Sequence, residues 1–393
     1  MTHPIHDVPA DYAKANRPHV SEWFGHRVFP IVSGSSEALS DQTNHRCPFL
    51  TKALGEPQRC VKSDETRADR RNSAGVCTIS SVSNGPRQDW LVCPHRALDN
   101  SLLEEMVRRL FSVATACTVL IKAAPVLSNP AMKSQVLSSL QDPNTRTFVY
   151  FQGKLGGEIG LPKTAGSPAV SFDITVAEIV PSEEQGLIDL GFPGEAITLG
   201  KYGVIELQTT DTHGSYKETV SGLTNALGLH PNAFHEQLAN NPQWAGNKVE
   251  GPNVSNVFKR TFYQVAFKFQ ATKRPSSVGC VLFLPKPVWD SWQPFLGAPT
   301  VNRQDDGTYR LLGDESTDPS DWIYVFDVGA RSSDGGPAPL AIEMVLGTNA
   351  AALSKAALDI APRKAVEGQG ANDAVKAALL KRLRTNLPGL DRS

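Results

Sequence analysis

The sequence predicts an α/β fold: a mixed β-sheet flanked by helices, preceded by an amino-terminal four-cysteine metal-binding module. Three observations predict it. Short apolar runs rich in β-branched and aromatic residues are interspersed with stretches whose apolar residues recur every three or four positions. Their order (helix, strand, strand, strand, helix, helix, strand) is that of a sheet covered by helices on both faces. Four of the six cysteines, Cys47, Cys60, Cys77 and Cys93, fall in one polar segment near the amino terminus.

The 393 residues suffice for one large domain or two to three modules with a sizeable core. The 39 Lys+Arg balance 40 Asp+Glu, so no global basic field marks a nucleic-acid binder; any such contact must come from local patches. Met1–His6 lacks the basic-then-apolar layout of a signal peptide, and no apolar run approaches the ~18–20 residues of a membrane span. A soluble, cytoplasmic protein with no membrane partner is therefore expected.

Residues 1–20 are polar, with several Pro and His, and read as a flexible amino terminus. Residues 21–100 hold the cysteine cluster. In a reducing cytosol such a cluster reads as metal binding before disulfides, although no spacing is the C-x-x-C knuckle. Pro48 and Pro94 each fix a turn after a cysteine. The segment is rich in Arg, Asn, Asp and Ser and poor in apolar periodicity, so it is expected to need a metal staple. The bland alternative is that its cysteines are small buried hydrophobes, which is also the expectation for Cys117 and Cys280. The module's modest basic surplus could touch phosphates.

Residues 101–345 carry most of the pattern. LLEEMVRRLFSVATAC (102–117) reads as a helix, a second is expected near 131–141, and Thr147–Phe151 as a strand. Glu158 follows in a glycine-rich stretch whose spacing fits a turn better than a phosphate-binding loop. Ala169–Val176 reads as a strand carrying Asp173, residues 181–200 as an inserted loop, and Lys201–Gln208 as a strand carrying Glu206, Leu207 and Gln208. Helices follow near 216–228 and within 253–272, the latter with Ser255 as N-cap. On that helix Phe258, Phe262, Val265 and Phe269 form a core stripe. Strands are expected at 278–284 and 322–328. Residues 346–393 read as a helical extension, with helices near 349–361 and 371–386.

Side chains alternate along a strand, so Glu206 and Gln208 share one face while Leu207 points to the other. A carboxylate in an apolar strand is costly to bury unless a cation compensates it. Asp173 and Glu206 on adjacent strands would converge on one divalent metal, and hard oxygen ligands suit Mg²⁺. The competing interpretation places these acids at strand edges, facing water.

An apolar strand with Asp followed by a strand with Glu-x-polar is a loose form of the PD-(D/E)XK nuclease pattern. The flanking stretches are more specific: EWFGHRVFP (22–30), CPFLT (47–51), DWLVCPHRALD (89–99), YFQGKLGGE (150–158), SFDITVAE (171–178), KYGVIELQT (201–209), HGSYK (213–217) and EGPNVSNVFKRTFYQ (250–264). Over roughly residues 20–345 the chain closely resembles the NotI restriction endonuclease family. The final ~45 residues match poorly, and the 181–200 loop looks longer than in the relative.

The resemblance implies a restriction-endonuclease-like PD-(D/E)XK core and a type II restriction endonuclease. It implies a homodimer that cuts double-stranded DNA at a long G·C palindrome (GCGGCCGC in the relative), leaving 5′-phosphate ends, with a cognate DNA methyltransferase encoded nearby. It casts Cys47, Cys60, Cys77 and Cys93 as ligands of one structural metal, iron in the relative; tetrahedral thiolates suit iron or zinc. Asp173 becomes the central Mg²⁺ ligand, Glu206 and the Leu207 carbonyl further ligands, and Glu158 a contributor from the preceding segment. Gln208 stands where most of the superfamily has Lys, so it can orient water or phosphate without carrying charge. Asp211, His213, Lys217, Lys259 and Arg260 are candidates to read base edges, and Asn253, Ser255 and Asn256 to hold phosphate. The alternatives in other classes are a non-catalytic DNA-binding protein and a repair nuclease without sequence specificity.

Overall fold

A computed structural model of the chain describes residues 5–14, 16–63, 73–82, 85–114, 118–123, 129–181, 197–210, 214–311, 319–328, 337–367 and 371–387. The chain first builds an antiparallel sheet from β1 (His19–Trp23), β2 (His26–Arg27), β3 (Val76–Val82) and β4 (Arg87–Leu91), in the order β2-β1-β3-β4. After helix α1 (Asn100–Phe111) come β5 (Thr118–Lys122), β6 (Arg146–Gln152), β7 (Ile174–Pro181) and β8 (Ile197–Leu207). Helices α2 (Lys217–Leu229) and α3 (Val254–Ala271) lead to β9 (Ser277–Pro285), and the short β10 (Asn302–Arg303) and β11 (Tyr309–Arg310) precede β12 (Asp321–Val328) and β13 (Leu340–Thr348). Strands β5 to β13 form one nine-stranded mixed sheet in the order β10-β11-β13-β12-β9-β8-β7-β6-β5.

The central strands β8, β9 and β12 run parallel and are covered on both faces. This is why β9 reads as an almost unbroken apolar run. Its residues alternate between two cores: Cys280, Leu282 and Leu284 pack with Phe258, Val265 and Phe269 of α3, while Val281 and Phe283 pack with Met106, Val107 and Leu110 of α1. The stripe expected on α3 is therefore the contact with the sheet, and Cys280 is fully buried as expected.

Several boundaries differ from the sequence reading. Helix α1 stops at Phe111, not at residue 117, because Ser112 adopts a left-handed φ of 53° and turns the chain toward β5; Cys117 lies outside the described residues. The expected 169–176 strand breaks at Asp173. Val170–Phe172 pairs with Ile159–Leu161 as a separate ribbon, and β7 begins at Ile174. The N-cap of α3 is Asn253, whose side chain accepts from the Asn256 N–H, and not Ser255. Strand β8 begins at Ile197, within the expected loop; residues 182–196 lie outside the described residues. Strand β13 was not expected, since Ala, Glu and Gly dilute the apolar signal of LAIEMVLGT.

The amino-terminal segment has more core than its composition suggests. Trp23, Phe24, Phe29 and Trp90 are almost completely buried and join the core shared with α2 and α3. Its sheet also encloses an ion network. Burial alone would raise the Glu22 carboxyl, but Arg96 and Arg27 hold it below the usual range, and Thr78 donates a hydrogen bond at 2.5 Å. Arg96 also donates to the Ala338 carbonyl, just ahead of β13. Near the carboxyl end the chain is helical at Ala350–Lys355, Ala361–Glu367 and Ala371–Asn386. No helix among the described residues is long and apolar enough to cross a membrane.

One contact aligns the parallel strands. Gly279 of β9 has a φ of +113°, and a Cβ there would sit 1.9 Å from the Ser320 carbonyl oxygen. Beside it, the buried Asp321 accepts from the Cys280 N–H at 3.0 Å. Because a backbone oxygen cannot yield as a flexible side chain can, Gly279→Ala is expected to cost about 3 kcal/mol. Urea unfolding followed by tryptophan fluorescence measures it, and an unchanged midpoint would refute the close approach.

Candidate active site

At the carboxyl end of β8, next to the break before β7, a cavity of about 530 Å³ opens between the sheet and α3. Asp173, Glu206, Leu207 and Gln208 line it from the strands, and Thr261, Gln264 and Lys268 from the helix. The alternation expected along β8 is observed. Leu207 packs with the α1-side core, while Glu206 and Gln208 meet α3. Asp173 has left the ladder, and its carboxylate accepts from the Leu207 N–H at 2.9 Å, which ties the break to the end of β8.

Helix α3 addresses both polar residues of β8 from one face. The Thr261 hydroxyl donates to Gln208 Oε1 at 2.6 Å, and the Gln208 amide nitrogen donates to the Thr209 carbonyl. Two turns further on, Lys268 Nζ binds Glu206 Oε2 and lies 5.9 Å from the centre of the Phe172 ring. The Glu206 and Lys268 side chains are only 8% and 9% exposed.

The charges do not balance. Among the described residues, two carboxylates face one ammonium, and Glu206 Oε1 is buried without a hydrogen-bond partner. Burial, and then the charge of Asp173, push the Glu206 carboxyl up to about 8, with Lys268 pulling the other way. A proton or a further cation makes up the deficit. Lys268 was not anticipated from the sequence. Its signal was there, because it falls between Val265 and Phe269 on the apolar side of α3, where a lone charge needs a partner.

The other expected site residues are dispersed. Glu158 is exposed and is not part of the cavity wall. Lys217 is exposed in the first turn of α2, and Lys259 and Arg260 are exposed on α3. Asn253 and Asn256 are joined by the cap of α3. Asp211 and His213 lie outside the described residues, as does the side chain of Ser255.

The structure does bring the four cysteines together. Cys47, Cys60, Cys77 and Cys93 line one cavity of about 10 Å³, room for a single small atom, with Lys62 and His95 beside them. Cys47 caps the helix Pro48–Leu54, its sulfur accepting from the Leu50 N–H at 3.5 Å. Burial pushes the Cys47 thiol up to about 12 and raises Cys60. A hydrogen bond between Cys77 and Cys93 raises the first and holds the second at about 5. No group of three or more His, Cys, Asp or Glu among the described residues is arranged to hold a metal ion, so the thiols share a cavity without forming a closed ligand set.

No protein-family model matches the chain, and no curated protein matches it. The resemblance noted in the sequence therefore stands on the quoted stretches alone.

The raised Glu206 carboxyl has a signed consequence. The folded chain holds this proton more tightly than the unfolded one, so the stability gained is complete below about 4.5 and is lost as pH rises through about 8. In EDTA, the melting temperature of the wild type is expected to fall from about pH 6 to about pH 9 relative to Glu206→Gln, which has no such proton to lose. Parallel melting curves across that range would contradict the buried two-carboxylate site.

Proposed function

We propose that the chain is a type II restriction endonuclease of the NotI type, a Mg²⁺-dependent site-specific deoxyribonuclease with a PD-(D/E)XK core, acting as a homodimer on a long G·C-rich palindrome in double-stranded DNA. The observation that carries this is the convergence of Asp173, Glu206 and Gln208 in one cavity, short of one positive charge. The in-order family stretches set these residues within the pattern of a nuclease.

The residues fit the metal. Among the described residues Glu206 Oε1 is a buried oxygen with no hydrogen-bond partner, Asp173 lines the same cavity, and oxygen donors of this kind suit Mg²⁺. Asp173, Glu206 and the Leu207 carbonyl would hold it, and bound there it supplies positive charge against the phosphate and acidifies water. In the reaction a water oxygen attacks phosphorus in line, the P–O3′ bond breaks, and a 5′-phosphate and a 3′-hydroxyl result. Thr261 fixes the carbonyl edge of Gln208, and Thr209 takes one of its two N–H groups; the second N–H remains to orient the water or a phosphate oxygen. The exposed Lys217, Lys259 and Arg260 are accessible to DNA phosphates and base edges.

The four thiols offer soft donors to iron or zinc around one cavity, although as they stand among the described residues they do not form a closed ligand set. Burial raises the Cys47 and Cys60 thiols and the bond to Cys93 raises Cys77, while Cys93 is already held low; a bound iron or zinc would favour the thiolate form of all four. Elemental analysis of the purified protein is expected to give about one iron or zinc per chain, and Cys77→Ser to lose both the metal and the cooperative unfolding of the amino-terminal sheet. A metal-free protein with unchanged melting would refute the structural metal.

Digestion of a sequenced genome with Mg²⁺, followed by end mapping, tests the activity itself. Discrete bands with ends at one G·C palindrome are expected, whereas a smear would mean a non-specific nuclease. Asp173→Ala and Glu206→Gln are each expected to lower cleavage by more than about 10³-fold while specific duplex binding in Ca²⁺ is retained. Cleavage at the wild-type rate by either variant would remove that residue from the site.

A further inference from the structure

We propose that Lys268 is the catalytic cation of this site, delivered from helix α3 and doing the work that a lysine at position 208 would do from the strand. The inference rests on the nuclease reading above. A PD-(D/E)XK site with Gln at 208 lacks a cation at that position, yet phosphodiester hydrolysis gathers negative charge at phosphorus in the transition state. Among the described residues lining the cavity, Lys268 is the sole cationic one.

Its placement is that of a built group. The ammonium is held at Glu206 Oε2, its side chain is 9% exposed, and the Phe172 ring covers it. The same helix face, two turns earlier, holds Gln208 through Thr261, so one element sets both the neutral and the charged partner of β8. A cation that only neutralised Glu206 would leave Asp173 uncompensated, and among the described residues Glu206 Oε1 has no hydrogen-bond partner, so one ammonium does not satisfy both acids. With a metal ion held by Asp173 and Glu206, the ammonium of Lys268 would still line the same cavity. It can then donate to a non-bridging phosphate oxygen as the water oxygen bonds to phosphorus and the 3′ oxygen departs; the water proton passes to solvent and the 3′ oxygen is protonated from solvent.

Relocating the charge tests this. Single-turnover cleavage of the cognate duplex is compared for wild type, Lys268→Met and the double variant Gln208→Lys/Lys268→Met, with Mn²⁺ binding followed by calorimetry in parallel. Lys268→Met is expected to slow cleavage by about 10²–10³-fold and to bind Mn²⁺ at least as tightly as wild type. The double variant is expected to regain at least about tenfold, because the charge returns to the same cavity from the strand. A structural lysine predicts no such rescue.

Wild-type cleavage by Lys268→Met overturns the proposal and leaves the nuclease standing. Loss of Mn²⁺ binding in Lys268→Met also overturns it, since Lys268 would then act only by holding Glu206. Should Lys268→Met fail to fold, the double variant, which again supplies a partner for Glu206, decides: cleavage supports the proposal, and a folded, inactive protein overturns it. A wild-type protein that cleaves no duplex with Mg²⁺ overturns the nuclease reading itself.

Discussion

A carboxylate at the end of a strand covered on both faces must find positive charge, and much of this molecule is arranged around that requirement. Glu206 closes the most apolar part of β8, where neither face of the sheet meets water. Helix α3 answers with Lys268, and for Lys268 to arrive there the helix must lie along the sheet with Phe258, Val265 and Phe269 inward. Asp173 adds a second charge that α3 does not balance, and the chain breaks its ladder to bring it in. A core that could have closed on apolar groups instead carries an electrostatic deficit at one spot, the usual mark of function set against stability.

The sheet around that spot is closely packed. Parallel β8, β9 and β12 are packed on both faces, and the Gly279–Ser320 approach leaves no room for slippage. The amino-terminal sheet is not a loose appendage either. Its aromatic residues join the core of α2 and α3, while Cys47, Leu91 and Leu98 join that of α1. The thiol cavity is thus anchored in the same two cores that hold the acids, and a metal there would brace the fold that positions them.

Much of the site could be read from the sequence because it follows strand and helix periodicity. The alternation of Glu206, Leu207 and Gln208 gave their facing correctly, and the aromatic spacing on α3 gave its buried side. What escaped was set by tertiary contact. Asp173 ends a strand because its carboxylate captures the Leu207 N–H, an event invisible in a run as apolar as Ala169–Val176. Lys268 resembles any lysine between aromatics until the helix is turned to show that it shares their face. The composition of the cysteine segment concealed its core, because the polar run in its middle outweighs the buried aromatics at either end.

The bond from Arg96 to the Ala338 carbonyl spans 242 residues and so carries a timetable. Ribosomes add about 5–20 residues per second, so an interval of 242 residues corresponds to roughly 12–50 s between the emergence of donor and acceptor. During that time the buried guanidinium at the heart of the amino-terminal sheet lacks one of its native acceptors. The ion pairs of Glu22 with Arg27 and Arg96 lie wholly within the first hundred residues, so synthesis halted before the last strand of the large sheet leaves those pairs available but deprives Arg96 of its Ala338 acceptor.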